Sequence, residues 1–228
     1  MKDVKNVMPE ETVKADGVSR RRFLGYAGGL AGAGLLIGSC KKEDSTPTEP
    51  GTTDLGINDN GLLNLMFVTQ QIEAAFYQQL VTMPYGGISA EESKLFADML
   101  DHEIAHREYL RNYLKGNGTV IATDFSIIDF SARSKVLEHA ELIENLVVAS
   151  FNEIARLMVS AEHAGMVIKM ASLEARHAGT VSNMRTKGSY FGTVDVTGSE
   201  QGMLPSNCIT IINRFLSTKV SGNNLPNK

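Results

Sequence analysis

The 228-residue chain has no tryptophan and only two cysteines, Cys40 and Cys208. Two thiols exclude a disulfide-rich scaffold and a four-cysteine zinc site. There is no basic excess either: the formal net charge is −4, which argues against nucleic acid as a partner. No strand pattern is strong enough to build a sheet. No stretch supplies the ~20 apolar residues of a stable membrane span. What the chain does have is apolar material, 43% of its residues, enough to fill a core and to exclude wholesale disorder. The length suits one ordinary domain with extras.

The extras lie at the N-terminus. Ser19-Arg20-Arg21-Arg22-Phe23-Leu24 precedes a Gly-rich apolar stretch that runs to Gly38. A short apolar region behind a basic one fits a cleavable export signal. The pair Arg20-Arg21 with the following Phe-Leu resembles the twin-arginine translocation motif, although Gly25 stands where that motif often has Lys. Leu36-Ile37-Gly38-Ser39-Cys40 resembles a bacterial lipobox, in which small residues admit a peptidase before a cysteine that is then lipidated. The alternative is a buried helix with a stray cysteine. The expectation is a signal peptide over 1–39, a lipid on Cys40 and a cell-envelope location reached by the twin-arginine route. The chains of such a lipid meet the two-chain requirement for stable anchoring. The partner is then the membrane, with a homodimer as an option. Residues 1–39 hold six basic and four acidic residues, so their removal moves the formal charge from −4 to −6. Residues 40–54 are polar and Pro-containing and read as a flexible tether, with the folded domain over 55–228. Cys208 is left without a disulfide partner.

Within the domain, apolar residues recur at helical spacing from Leu62 to Val81, until Pro84-Tyr85-Gly86-Gly87 stops them. Ser89-Ala-Glu-Glu92 is a capping box that opens a second helix to about Lys115. Residues 116–130 suit a long connection. From Ser131 to Arg185 the pattern is almost unbroken, too long for one helix in such a domain. A break is placed at Val159-Ser160-Ala161, with Ser160 as the cap. A short helix is expected over Pro205–Phe215, with Pro205 in its first turn. The fold class is all-α, a four-helix bundle.

Two of these helices carry Glu-x-x-His, as Glu103-Ile-Ala-His106 and Glu174-Ala-Arg-His177. Residues three apart share a helix face and can approach one metal together. The first helix offers Glu73 inside an apolar stretch, where a charge needs an explanation. Glu73 precedes Glu103 by 30 residues, and 30 residues before Glu174 stands Glu144. In an antiparallel pair, residues equidistant from the turn lie side by side. The two midpoints are Ile88, beside the first turn, and Val159, at the second break. Four Glu and two His would thus meet at one level of the bundle, the set expected of a carboxylate-bridged pair of iron or manganese ions. Two divalent ions would neutralise four carboxylates that otherwise repel. Glu103 and Glu174 would bridge, Glu73 and Glu144 would be terminal, and His106 and His177 would bind one ion each.

The chain here resembles the ferritin-like superfamily, in particular the exported bacterial ferritin-like domain proteins. The resemblance covers roughly residues 55–225. It rests on Ile72-Glu73-Ala74-Ala75-Phe76-Tyr77, Asp101-His102-Glu103-Ile104-Ala105-His106 and Leu173-Glu174-Ala175-Arg176-His177, with Asp124-Phe125-Ser126 and Leu204-Pro205-Ser206 also similar. It implies a long crossover between helices two and three, and chemistry such as oxidation of Fe(II) or reduction of O₂ or peroxide.

Two rival readings stand beside it. His102-Glu103-Ile-Ala-His106 is also a literal H-E-x-x-H, in which both histidines bind zinc and the glutamate activates water. That reading leaves the second Glu-x-x-His and the matched spacings unexplained. The other rival is a non-enzymatic, lipid-anchored helical module with an incomplete metal site. Tyr77, four residues after Glu73, is either a redox-active phenol beside the metals or a core residue. His139 and His163 are assigned to polar faces.

Overall fold

The computed structural model describes residues 51–192 and 197–226. Arg20, Arg21, Cys40, the expected signal and most of the expected tether lie outside the described residues. Four long helices dominate: α1 (Asn58–Thr82), α2 (Ala90–Tyr113), α3 (Arg133–Leu157) and α4 (Ala161–Arg185). A short α5 (Pro205–Ile212) and a 3₁₀ turn (Asn213–Phe215) follow. No helix among the described residues is long and apolar enough to cross a membrane.

α1 is the innermost element. Leu62, Leu63, Leu65, Met66, Phe67 and Val68 are all buried, so apolar contacts surround it rather than line one stripe. Its main partners are α2, then α3 and α5. α3 and α4 form the most extensive helix pair.

Contacts between helix ends give the topology. Arg133 at the start of α3 pairs with Glu92 at the start of α2 and also reaches the Met184 carbonyl at the end of α4. Asp59 at the start of α1 meets Ser160 at the start of α4. α1 and α4 therefore run one way, α2 and α3 the other. That order requires a connection from one end of the bundle to the other between α2 and α3. The stretch 114–132 makes it.

Two buried amides of α1 tie this crossover down. Asn64 donates to the Asn117 carbonyl and accepts from the Thr119 amide. Gln71 donates to the Thr119 carbonyl and accepts from the Ile121 amide. The connection thus satisfies backbone groups that have no ladder of their own. Further along, Phe125 and Phe130 pack on Phe76, and Phe125 packs on Phe215.

The break between α3 and α4 falls at the expected place, without Gly or Pro. Ser160 caps α4 by accepting from the His163 amide. The Asp59 carboxylate accepts from the amides of Val159 and Ser160 at 2.8 and 2.9 Å. His163 places Nδ1 2.7 Å from the same carboxylate, so this half-buried ring is a hydrogen-bond partner of Asp59.

Strands are present after all, in the smallest form. β1 (Thr52–Asp54) pairs in parallel with β2 (Lys219–Ser221), Thr53 opposite Val220. Thr52–Asp54 fall in the stretch expected to be tether. Three residues of Thr-Thr-Asp are too few and too polar to show a strand period, and only the partner from the far end of the chain makes them one.

Candidate metal centre

Each element delivers its polar side chains inward for a local reason. Glu73 lies on α1 within the run 61–74, every residue of which is buried. On α2 and α4, the Glu and His of each Glu-x-x-His face inward together because three residues nearly complete a turn. On α3, Glu144 follows the buried Ile143 and precedes the buried Leu146 and Val147 on the amphipathic face.

The four carboxylates Glu73, Glu103, Glu144 and Glu174 are each 0% exposed. His177 is buried, and the side chain of His106 keeps 15% exposure. All six expected residues come together. Their donor atoms form three overlapping groups: Glu103 with His106 and Glu174; Glu103 with Glu144 and His177; and Glu73 with Glu144 and Glu174. Within each group the atoms lie within 4.8 Å of one another. His106 Nδ1 is 2.7 Å from Glu174 Oε1, and His177 Nδ1 is 2.7 Å from Glu103 Oε1.

Proximity is not matched by hydrogen bonding. Both oxygens of Glu103 and one oxygen each of Glu73, Glu144 and Glu174 lack an aligned donor, as does His177 Nδ1 despite its 2.7 Å approach to Glu103. Buried oxygens left so are costly, and a cluster of them is the signature of lone pairs turned toward a shared space.

The electrostatics say the same. Burial first, and then the neighbouring carboxylates, push Glu73 and Glu144 well above the usual carboxylate range. Glu103 is pushed up to about 7 by burial and by the charge of Glu174. Burial opposes ionisation of Glu174 too, but the hydrogen bond with His106 and the nearby ring of His177 outweigh it and lower its value. His177 rises to about 10: burial works against its charge, and Glu103 and Glu174 overcome that. Without cations, protons take over the task of neutralising the cluster.

Two residues complete the centre that spacing alone did not assign to it. Gln70, fully buried one turn before Glu73, donates through Nε2 to Glu73 Oε2 at 2.5 Å and to Glu174 Oε1 at 3.0 Å. Its signal was a polar residue three positions before Glu73, inside the polar run Thr69-Gln70-Gln71 of a largely apolar helix. Tyr77 is a core residue, packed on Phe76 and Phe96, and its hydroxyl also donates to Glu144 Oε1.

His102, the first histidine of the H-E-x-x-H, is exposed and belongs to none of the three groups. It faces His177, whereas His106 faces Glu174. The two histidines of that motif are thus not aimed at one ion. A groove of about 750 Å³ between α2 and α4, lined by Ala105, Tyr109, Tyr113, Met166 and Leu173, reaches His106. A larger one of about 930 Å³ lies along α3 and touches none of the six residues.

A search among curated proteins returns no match. The family model for the ferritin-like domain matches residues 58–187, more than half of the chain. The match begins at the first residue of α1, ends just past α4 and encloses all six residues of the cluster. The chain belongs to the ferritin-like domain family.

Proposed function

We propose that the domain binds two iron or manganese ions among its four long helices and serves as a redox protein of the cell envelope, tethered to a membrane by lipid on Cys40. The supporting observation is the set of four fully buried carboxylates whose free oxygens converge with two imidazoles and lack hydrogen-bond donors. Oxygen and nitrogen donors of this kind suit iron and manganese, and two divalent ions balance the carboxylate charge. Glu103 and Glu174 would be shared between the ions, Glu73 and Glu144 would hold the outer positions, and His106 and His177 would each serve one ion. Such ions supply one-electron redox chemistry, suited to oxidising Fe(II) or reducing O₂ or peroxide.

The chain's own residues have distinct tasks in this reading. Gln70 keeps Glu73 and Glu174 at a set separation, and Tyr77 orients Glu144. The buried rings of Phe76 and Phe96 pack against Tyr77 and keep water from its side of the cluster. His106, at the groove, is the member nearest to solvent access. Closed-shell mineral storage suits a lipid-anchored chain poorly, because the anchor would hinder assembly of a cage.

Metal analysis of protein purified without added metal tests the reading. Close to two iron or manganese ions per chain are expected, with loss in Glu103→Ala and Glu174→Ala but not in Glu153→Ala, whose side chain pairs with Arg156 away from the cluster. Less than one ion per two chains, with thermal stability unmoved by added iron or manganese, would leave a helical, lipid-anchored module without an enzymatic centre.

A further inference from the structure

His177 is engaged on both sides of its ring. Nδ1 faces the cluster, 2.7 Å from Glu103 Oε1 and 3.4 Å from Glu174 Oε2. Nε2 faces outward, 3.1 Å from Nδ1 of His102. The two imidazoles are nearly parallel, at 6°, with centroids 5.3 Å apart.

Those three values identify the contact. An imidazole nitrogen lies about 1.1 Å from its ring centre, so collinear nitrogens 3.1 Å apart would separate the centres by about 5.3 Å. The observed separation is that maximum. Both nitrogens therefore lie on the line between the centroids, and two parallel rings that contain one line share one plane. The rings meet edge to edge in a linear N–H···N contact, not face to face.

We propose that His102 is a positioning residue for His177. A metal ligand must present a bare Nδ1 to the cluster, so the ring proton of neutral His177 resides on Nε2. His102 Nδ1 accepts that proton in line. The bond fixes the tautomer, stops rotation of the ring about its Cβ–Cγ bond and raises the basicity of Nδ1. His102 then carries its own proton on Nε2, away from His177. Among the described residues, the His106 side chain has no counterpart of this kind; its hydrogen bond goes to Glu174. The two histidines of the centre are thus inequivalent, and His177 is the more tightly held. The proposal rests on the metal-binding reading above.

Cobalt(II) is a suitable probe, because its visible absorption reports coordination without turnover. The protein and two variants, His102→Phe and His102→Asn, are titrated under anaerobic conditions. Phe keeps a ring but has no acceptor; Asn places Oδ1 near the position of Nδ1. Two equivalents are expected to bind the unaltered protein. In His102→Phe one of them weakens about 10- to 100-fold while the other is unchanged. His102→Asn restores most of that loss. Nitrogen-15 spectra of the zinc-loaded protein should show the His177 proton on Nε2, and the bond should be lost in His102→Phe. His102 is exposed, so both variants are expected to fold, and circular dichroism checks this.

The outcomes separate the two ideas. Equal affinity in His102→Phe and the unaltered protein, or equal loss in Phe and Asn, overturns the positioning role and leaves the metal centre standing. Loss of both equivalents in either variant overturns it in favour of direct ligation by His102. An unaltered protein that takes up no cobalt overturns the metal reading and this proposal with it.

Discussion

Three of the four buried carboxylates, Glu73, Glu144 and Glu174, have one oxygen held by a neighbouring side chain. Tyr77 illustrates the cost of removing one such partner. Its hydroxyl donates to Glu144 Oε1 in a fully buried setting, and the other oxygen of Glu144 already lacks a donor. Tyr77→Phe keeps the ring packed on Phe96 and deletes only the donor. Denaturant unfolding of the metal-free variant should show a loss of about 1–3 kcal/mol, the usual penalty of an orphaned buried acceptor. An unchanged midpoint would mean that Tyr77 is packing alone. Gln70 works at the same scale. Position 70 looks like a polar interruption in the sequence, and only its reach to Glu73 and to Glu174, 104 residues later, makes it part of the centre.

At the scale of elements, the joint between α3 and α4 depends on a residue from elsewhere. Asp59 is far from Ser160 in sequence, yet it ties down two amides of the turn and pairs with His163. Burial raises its pKa, but the Val159 and Ser160 amides and His163 outweigh that and hold it below 3.8. The sign follows. The unfolded chain takes up a proton near pH 3.8 and the folded one only at lower pH, so Asp59 contributes stability above that value and loses it as the pH falls further. Asp59→Ala should cost about 1–2 kcal/mol at neutral pH, in the range of a lost helix cap. The difference from the unaltered protein should shrink in acid. A gap that persists at pH 2 would show that packing, not charge, is at work.

The whole molecule should respond to pH through its buried cluster of carboxylates and histidines. In the metal-free protein Glu103 keeps its proton to about pH 7 against 4.5 in an ordinary setting, and His177 to about 10 against 6.5. Both folded values are raised. The folded state therefore holds protons that the unfolded chain has released, and stability declines as the pH rises through this window. Glu73 and Glu144 act in the same direction. Glu174, whose value is lowered, has the opposite sign, but only in acid below its ordinary 4.5. Thermal unfolding of metal-free protein between pH 5 and pH 9 should thus show a falling midpoint. Added iron or manganese should raise the midpoint, flatten that slope and release protons into the buffer, because ions replace the protons that neutralise the cluster. A midpoint that rises with pH in the metal-free form would contradict the electrostatics of the centre.

Much of this was legible in one dimension. Helical periodicity marked four long elements, Ser89 and Ser160 announced two starts, and the repeated 30-residue interval placed Glu73, Glu103, Glu144 and Glu174 at one level. These are local rules: spacing decides which residues share a face, and distance from a turn decides which become neighbours in a hairpin. The rest depended on contacts between segments far apart in the chain. Asp59 under the α3–α4 joint, Asn64 and Gln71 holding the crossover, β1 on β2, and His102 in plane with His177 all join such segments, and no periodicity encodes a partner. The sequence by itself determined the helices and brought six residues to one level, because both follow from period and symmetry. Only the tertiary structure decided that α2 and α4 bring His102 against His177 and leave His106 at a groove, because that depends on which faces the crossover turns toward each other.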